Sequence, residues 1–193
     1  MAILILGLVL FLGVHSVRIF ANDWRTRTIS ARGEKFYKGI YTVISLAGFA
    51  LIVWGYGLAR HNPVVLWNPP RGMNHLAALL MLFSFVLLVA AYVPRNAIKG
   101  KLHHPMVLGV KVWALAHLLA NGMLADVVLF GAFLVWAVLD FRAARKRDRE
   151  GNVLYAAGTA KGTAIAVVVG LVAYGVFAAW LHGVLIGVRP FGV

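Results

Sequence analysis

This chain can offer a metal seven histidine imidazoles and no cysteine thiolate. The missing thiols exclude disulfides, iron–sulfur clusters, thiolate-ligated iron and cysteine-based zinc sites. Two histidines, His15 and His117, fall inside long apolar runs. A polar ring is costly in such a run, and an ionisable residue within a membrane span is a functional candidate by default. His103 and His104 are adjacent, so they cannot both point along one helix face, and they read as interface residues. His61, His75 and His182 fall near the ends of apolar runs, on the outer side, and no metal-ligand spacing links them to a zinc or copper site. The chain has no phosphate-cradling glycine loop, no Ser-His-Asp set and no paired carboxylates. Asp126 and Asp140 both fall at expected helix ends.

The elements that must position these residues are membrane helices. The chain has 193 residues and is 62% hydrophobic, against about 45–50% in a soluble domain. Apolar runs of span length cover residues 2–21, 37–59, 75–93, 105–119, 126–141 and 163–187, separated by Pro-, Gly- and charge-rich connections. The expected fold is an all-α integral membrane bundle of about six transmembrane helices, forming a single domain over residues 1–193. The first run lacks a basic stretch before it, which separates it from a signal peptide.

Nineteen Lys and Arg against six Asp and Glu make the chain strongly basic. The basic residues lie between apolar runs, so they indicate topology and contact with lipid headgroups, and no nucleic-acid partner is expected. The connections after the first, third and fifth runs carry Arg25, Arg27, Arg32, Lys35, Lys38, Arg95, Lys99, Lys101, Arg142, Arg145, Lys146, Arg147, Arg149 and Lys161. The other side carries Arg60, Arg71 and Arg189. Fourteen against three predicts that both termini lie outside. Small-residue pairs, Ala166 with Gly170 and Gly183 with Gly187, are expected to pack helices closely.

If the first helix ends near Trp24, His15 lies about 14 Å from the basic side, and His117, counted from Pro105, about 18 Å. Two neutral imidazoles at one depth in a helical bundle supply the axial ligands of a haem iron. The residues flanking His117 include the small Ala114 and Ala120 together with Asn121, a candidate acceptor for its ring N–H. Arg18, one turn from His15, is a candidate partner for a propionate. The plainer alternatives are that the histidines make interhelical hydrogen bonds and that Arg18 and Lys111 extend toward the interface.

The block HHPMVLGVKVWALAHLLANGMLADVVLFGAFLVWAVLD, with the N-terminal GVHSVRIF and the following WR, resembles the NnrU family over nearly the whole chain. That resemblance implies a small polytopic bacterial protein of the cell inner membrane, associated with denitrification and nitric oxide metabolism. The family is related to 15-cis-zeta-carotene isomerase, a haem b membrane enzyme whose ligand-bearing segments look like VHS and WALAH here. The resemblance thus implies haem b on His15 and His117. The isomerase has a cysteine three residues before the second histidine; here that position is Ala114, so a thiolate exchange is impossible.

Three functions follow as expectations. The first is a bis-histidine haem b protein with a redox or nitrogen-oxide-related partner. The second is a haem-dependent cis–trans isomerase of a carotenoid or similar lipophilic substrate entering from the bilayer. The third is a non-catalytic assembly partner of a nitric oxide reductase, in which the histidines only pack helices.

Overall fold

Leucine-, valine- and alanine-rich runs long enough to cross a bilayer become helices in the computed structural model, which describes residues 1–190. The last three residues of the expected domain lie outside the described part. Five helices are long and apolar enough to span: α1 (Ala2–Phe20), α3 (Glu34–His61), α4 (Met73–Tyr92), α7 (Leu124–Glu150) and α8 (Ala160–Ile186). The sixth expected span, α6 (Pro105–Ala120), is apolar but has 16 residues, about 24 Å against about 30 Å of bilayer hydrocarbon. Two further helices lie between spans, α2 (Asn22–Arg32) and α5 (Ala97–Leu102). No strand is formed among the described residues.

The helices pack in the lateral order α3, α1, α7, α6, α4, α8, with a lesser contact between α3 and α7. Hydrogen bonds gather the connections into two groups at opposite ends. At one end Leu66 N–H donates to the Gly122 carbonyl and Leu124 N–H to the Val64 carbonyl, while Arg60 reaches the Ile186 carbonyl at 2.7 Å. At the other end Thr159 N–H donates to the Arg95 carbonyl, and Arg147 donates to the Arg18 carbonyl at 3.0 Å. The fourteen interspan cations collect at this second, basic end. Large apolar side chains stay exposed along the outer faces, among them Val43, Leu46, Phe49 and Val53 on α3 and Val168 and Val172 on α8. A contiguous apolar surface of this kind suits lipid rather than water.

Glycines set the closest helix contacts. A Cβ on Gly55 of α3 would lie 2.3 Å from Leu4 N, and one on Gly7 of α1 would lie 2.6 Å from Ile52 N. The α1 and α3 backbones therefore touch. The expected pair Ala166 and Gly170 is buried, and Gly170 meets Val86 of α4. The pair Gly183 and Gly187 behaves differently from expectation: Gly187 ends α8 with a φ of 76°, a left-handed cap that glycine adopts without steric penalty. It is a helix stop rather than a packing residue.

Several boundaries also move. The stretch 22–35, expected as a loop, holds the polar helix α2, and α1 stops at Phe20. The stretch 142–150 continues α7 as a charged helical extension. Its Ala, Arg, Lys and Glu are good helix formers, and Lys146 pairs with Glu150 at i,i+4. The apolar pattern marks only the part of a helix that meets lipid, so it misses such extensions.

Candidate functional site

His15 on α1 and His117 on α6 flank α7. The two helices that carry them do not touch each other, and both pack on α7. His15 Nδ1 lies 2.6 Å from the Phe11 carbonyl oxygen, and His117 Nδ1 lies 2.9 Å from the Trp113 carbonyl oxygen. A carbonyl only accepts, so Nδ1 carries a proton in both rings, which leaves the lone pair of the neutral ring on Nε2. Neither Nε2 has a hydrogen-bond partner among the described residues.

The ring N–H of His117 does not use Asn121. Side chains on a helix lean toward its N-terminus, so the imidazole reaches back to Trp113, whereas Asn121 lies one turn further on. Asn121 Nδ2 donates instead to the His117 carbonyl at 2.9 Å, closing the end of α6.

The two histidines also differ in backbone depth. His15 is five residues from the end of α1, about 8 Å, while His117 is twelve residues from Pro105, about 18 Å. Their neighbours on α7 agree. The His15 ring lies 6.0 Å from Trp136 and the His117 ring 4.6 Å from Phe130, and those residues are about 9 Å apart along the helix. The lean of each side chain narrows the offset, because α1 and α6 run in opposite directions and each imidazole tilts toward the other's level.

Aromatic rings fill that level. Phe11 stacks on His15 at 4.2 Å and meets Phe133 at 5.8 Å; Phe133 meets Trp113 at 5.3 Å, and Trp113 meets His117 at 5.4 Å. Contacts through Phe11, Phe133 and Trp113 therefore connect the two imidazoles, which do not touch each other. Ala114 is fully buried beside this layer. Each imidazole thus presents a donor nitrogen of the kind that ligates haem iron, and the three aromatic rings occupy the level between them.

On the basic side of His15, Arg147 approaches Asp140 at 4.0 Å, and the Arg18 guanidinium also faces that carboxyl. Tyr41, 5.0 Å from the His15 ring, completes this polar edge. Near the other end Tyr56 donates to Asp126 Oδ1 at 2.5 Å, and Asp126 Oδ2 accepts the Met123 N–H at 3.1 Å. The position of Asp126 near a helix start was readable in the sequence. Its bond to a tyrosine seventy residues away was not, because no local spacing encodes it.

His103 and His104 lie at the basic end in a separate cluster. His104 Nε2 is 2.8 Å from Asp148 Oδ2, Tyr155 donates to the same oxygen at 3.0 Å, and Arg145 donates to His103 Nδ1. Burial, aided by the Asp148 carboxylate, raises the Tyr155 hydroxyl above its ordinary pKa. His182, beside a π-helical turn at Phe177–Leu181, ties its Nδ1 to the Val188 carbonyl at 2.6 Å. His61, His75 and His182 form no metal-binding group among the described residues.

Comparison with known families matches residues 3–190 to the family described as NnrU protein. Comparison with curated proteins finds no match, and neither does comparison with solved structures.

Proposed function

We propose, for a chain that belongs to the NnrU family, that it binds one haem b through His15 and His117. The observation that carries this reading is the shared state of the two rings: each has Nδ1–H tied to its own helix and a bare Nε2. Metal-bound histidines use the same division of labour, with the second nitrogen held by a carbonyl or carboxylate. Haem supplies one-electron chemistry when bound. The chain's own part is to orient two neutral imidazoles, to exclude water with Phe11, Phe133 and Trp113, and to offer Arg18 to a propionate. Asn121 contributes by fixing the last turn of the helix that carries His117. The family's association with denitrification and nitric oxide metabolism points to a redox or nitrogen-oxide-related role in the bacterial inner membrane. The direct test is an absorption spectrum of purified protein expressed with ample haem. A Soret band with reduced pyridine-haemochrome features of haem b is expected; monodisperse protein without any such band overturns the proposal.

A second reading rests on the aromatic chain. His15 stacked on Phe11 and His117 stacked on Phe130 can serve as packing groups in a non-catalytic assembly partner of a nitric oxide reductase, and the same spectrum separates the two. A third reading is a haem-dependent carotenoid cis–trans isomerase. Ala114 in place of the cysteine weighs against it, and incubation with tri-cis zeta-carotene is expected to give no isomerised product. Complementation of an isomerase-deficient carotenoid pathway by this chain would establish it instead.

The proposed topology is six spans with both ends outside, α6 crossing despite its length. It is supported by the collection of fourteen interspan cations at one end of the bundle. A fluorescent protein that matures only in the cytoplasm, fused after Val193, is expected to stay dark, while one inserted in the 151–159 connection is expected to fluoresce. The reverse pattern inverts the topology.

A further inference from the structure

Outside the histidine layer, the feature that most resembles a built binding surface is a lateral groove between α4 and α8 at the basic end. Its volume is about 720 Å³. Val89 and Val93 form one wall and Ile165 and Val169 the other, and Arg95 and Lys161 stand at its rim. Tyr92, 76% exposed, marks the boundary between the apolar belt and the polar end, where amphipathic aromatic rings settle.

The groove is held open by backbone geometry rather than by flexible side chains. Arg95 has a φ of 51°, and its carbonyl accepts the Thr159 N–H at 2.7 Å. Gly162 packs against that same carbonyl, where a Cβ would lie at 2.5 Å, and Gly170 closes on Val86 further along. These contacts fix Arg95 beside the first turn of α8. Neither the Arg95 nor the Lys161 side chain makes a hydrogen bond or ion pair among the described residues. The positive end of the α8 dipole adds to their field.

We propose that this groove is a binding site for an anionic phospholipid, with the headgroup phosphate on Arg95 and Lys161 and an acyl chain along the apolar walls. Charge complementarity selects the occupant. A zwitterionic lipid brings its own cation to the same rim, and a second copy of this chain would set the unpaired cations of two subunits against each other. A cation beside an anionic headgroup strengthens binding by about 1 kcal/mol, or roughly fivefold.

Native mass spectrometry of the delipidated full chain in detergent tests the assignment. Phosphatidylglycerol is titrated against phosphatidylcholine of the same acyl chains, with glycerol phosphate as a soluble competitor. The test variant is Arg95→Asn with Lys161→Gln; asparagine tolerates positive φ, so the charge is removed without straining the turn. Phosphatidylglycerol is expected to bind the unaltered chain preferentially, and the double variant is expected to weaken it by more than tenfold. Arg27→Gln with Arg142→Gln, an equal loss of charge elsewhere at the basic end, should leave it unchanged. Val169→Trp, which fills the groove from its α8 wall and keeps both cations, should also release the lipid. Equal binding of phosphatidylcholine, an equal loss in the control pair, retention by Val169→Trp, or displacement by equimolar glycerol phosphate each overturns the proposal.

Discussion

Replacing His117 with Ala is expected to abolish haem b binding, and replacing His15 with Ala is expected to leave at most a weakly held, high-spin haem. The asymmetry follows from the surroundings. The His117 ring is wedged between Trp113 and Phe130 on helices that pack closely, so its loss empties one wall of the site. His15 stands nearer the basic end, beside Arg18, Tyr41 and Asp140, where water or another donor can reach a vacated iron position. The measurements are haem stoichiometry by pyridine haemochrome and spin state by low-temperature electron paramagnetic resonance. His104→Ala serves as the control: its ring belongs to the Asp148 cluster, and its removal should leave the low-spin signal intact. If His104→Ala removes the signal while His15→Ala preserves it, the ligand assignment is wrong and the iron lies at the basic end.

The second large effect is on stability. Gly55→Ala should lower the midpoint of thermal unfolding in detergent by more than about 5 °C, from overpacking that costs about 1–3 kcal/mol or more. The added Cβ meets the Leu4 backbone at 2.3 Å, and backbone of a packed helix cannot swing aside as a side chain can. Gly57→Ala, two residues on in the same helix, is the matched control, because nothing lies within 4 Å of its Cβ position. That substitution should be neutral or slightly stabilising, since Ala is the better helix former. Equal midpoints for the two variants would show that α1 and α3 do not rest on Gly55.

Much of the fold was legible in the chain because lipid imposes a simple rule: a spanning segment must be apolar and must satisfy its own backbone. Apolar runs therefore marked the five helices long enough to span, and the shorter apolar helix α6 between Pro105 and Asn121. The positions of the cations marked which connections share an end. The α2 helix and the extension of α7 were not legible, because outside lipid the apolar pattern that locates a helix is absent. The close approach of α1 and α3 was also hidden. Gly7, Gly48 and Gly55 read as three of twenty glycines, and only the packed pair shows that a Cβ on any of them meets backbone.

The histidines divide the same way. Sequence alone marked His15 and His117 as the histidines set inside the first and fourth apolar runs, because hydropathy is a property of residue type and order. Their relation in space was decided by tertiary structure. Depth counted from an assumed helix end placed both at one level, whereas α1 stops at Phe20 and the backbones are offset by about 10 Å. The antiparallel run of α1 and α6, and the tilt of each side chain toward its own N-terminus, bring the rings back toward one aromatic layer on α7. The proton on Nδ1 was likewise decided by folding, since it depends on a helical carbonyl standing one turn behind each ring. Residue type says which groups can ligate; only the direction of the helices and the packing between them says what those groups face.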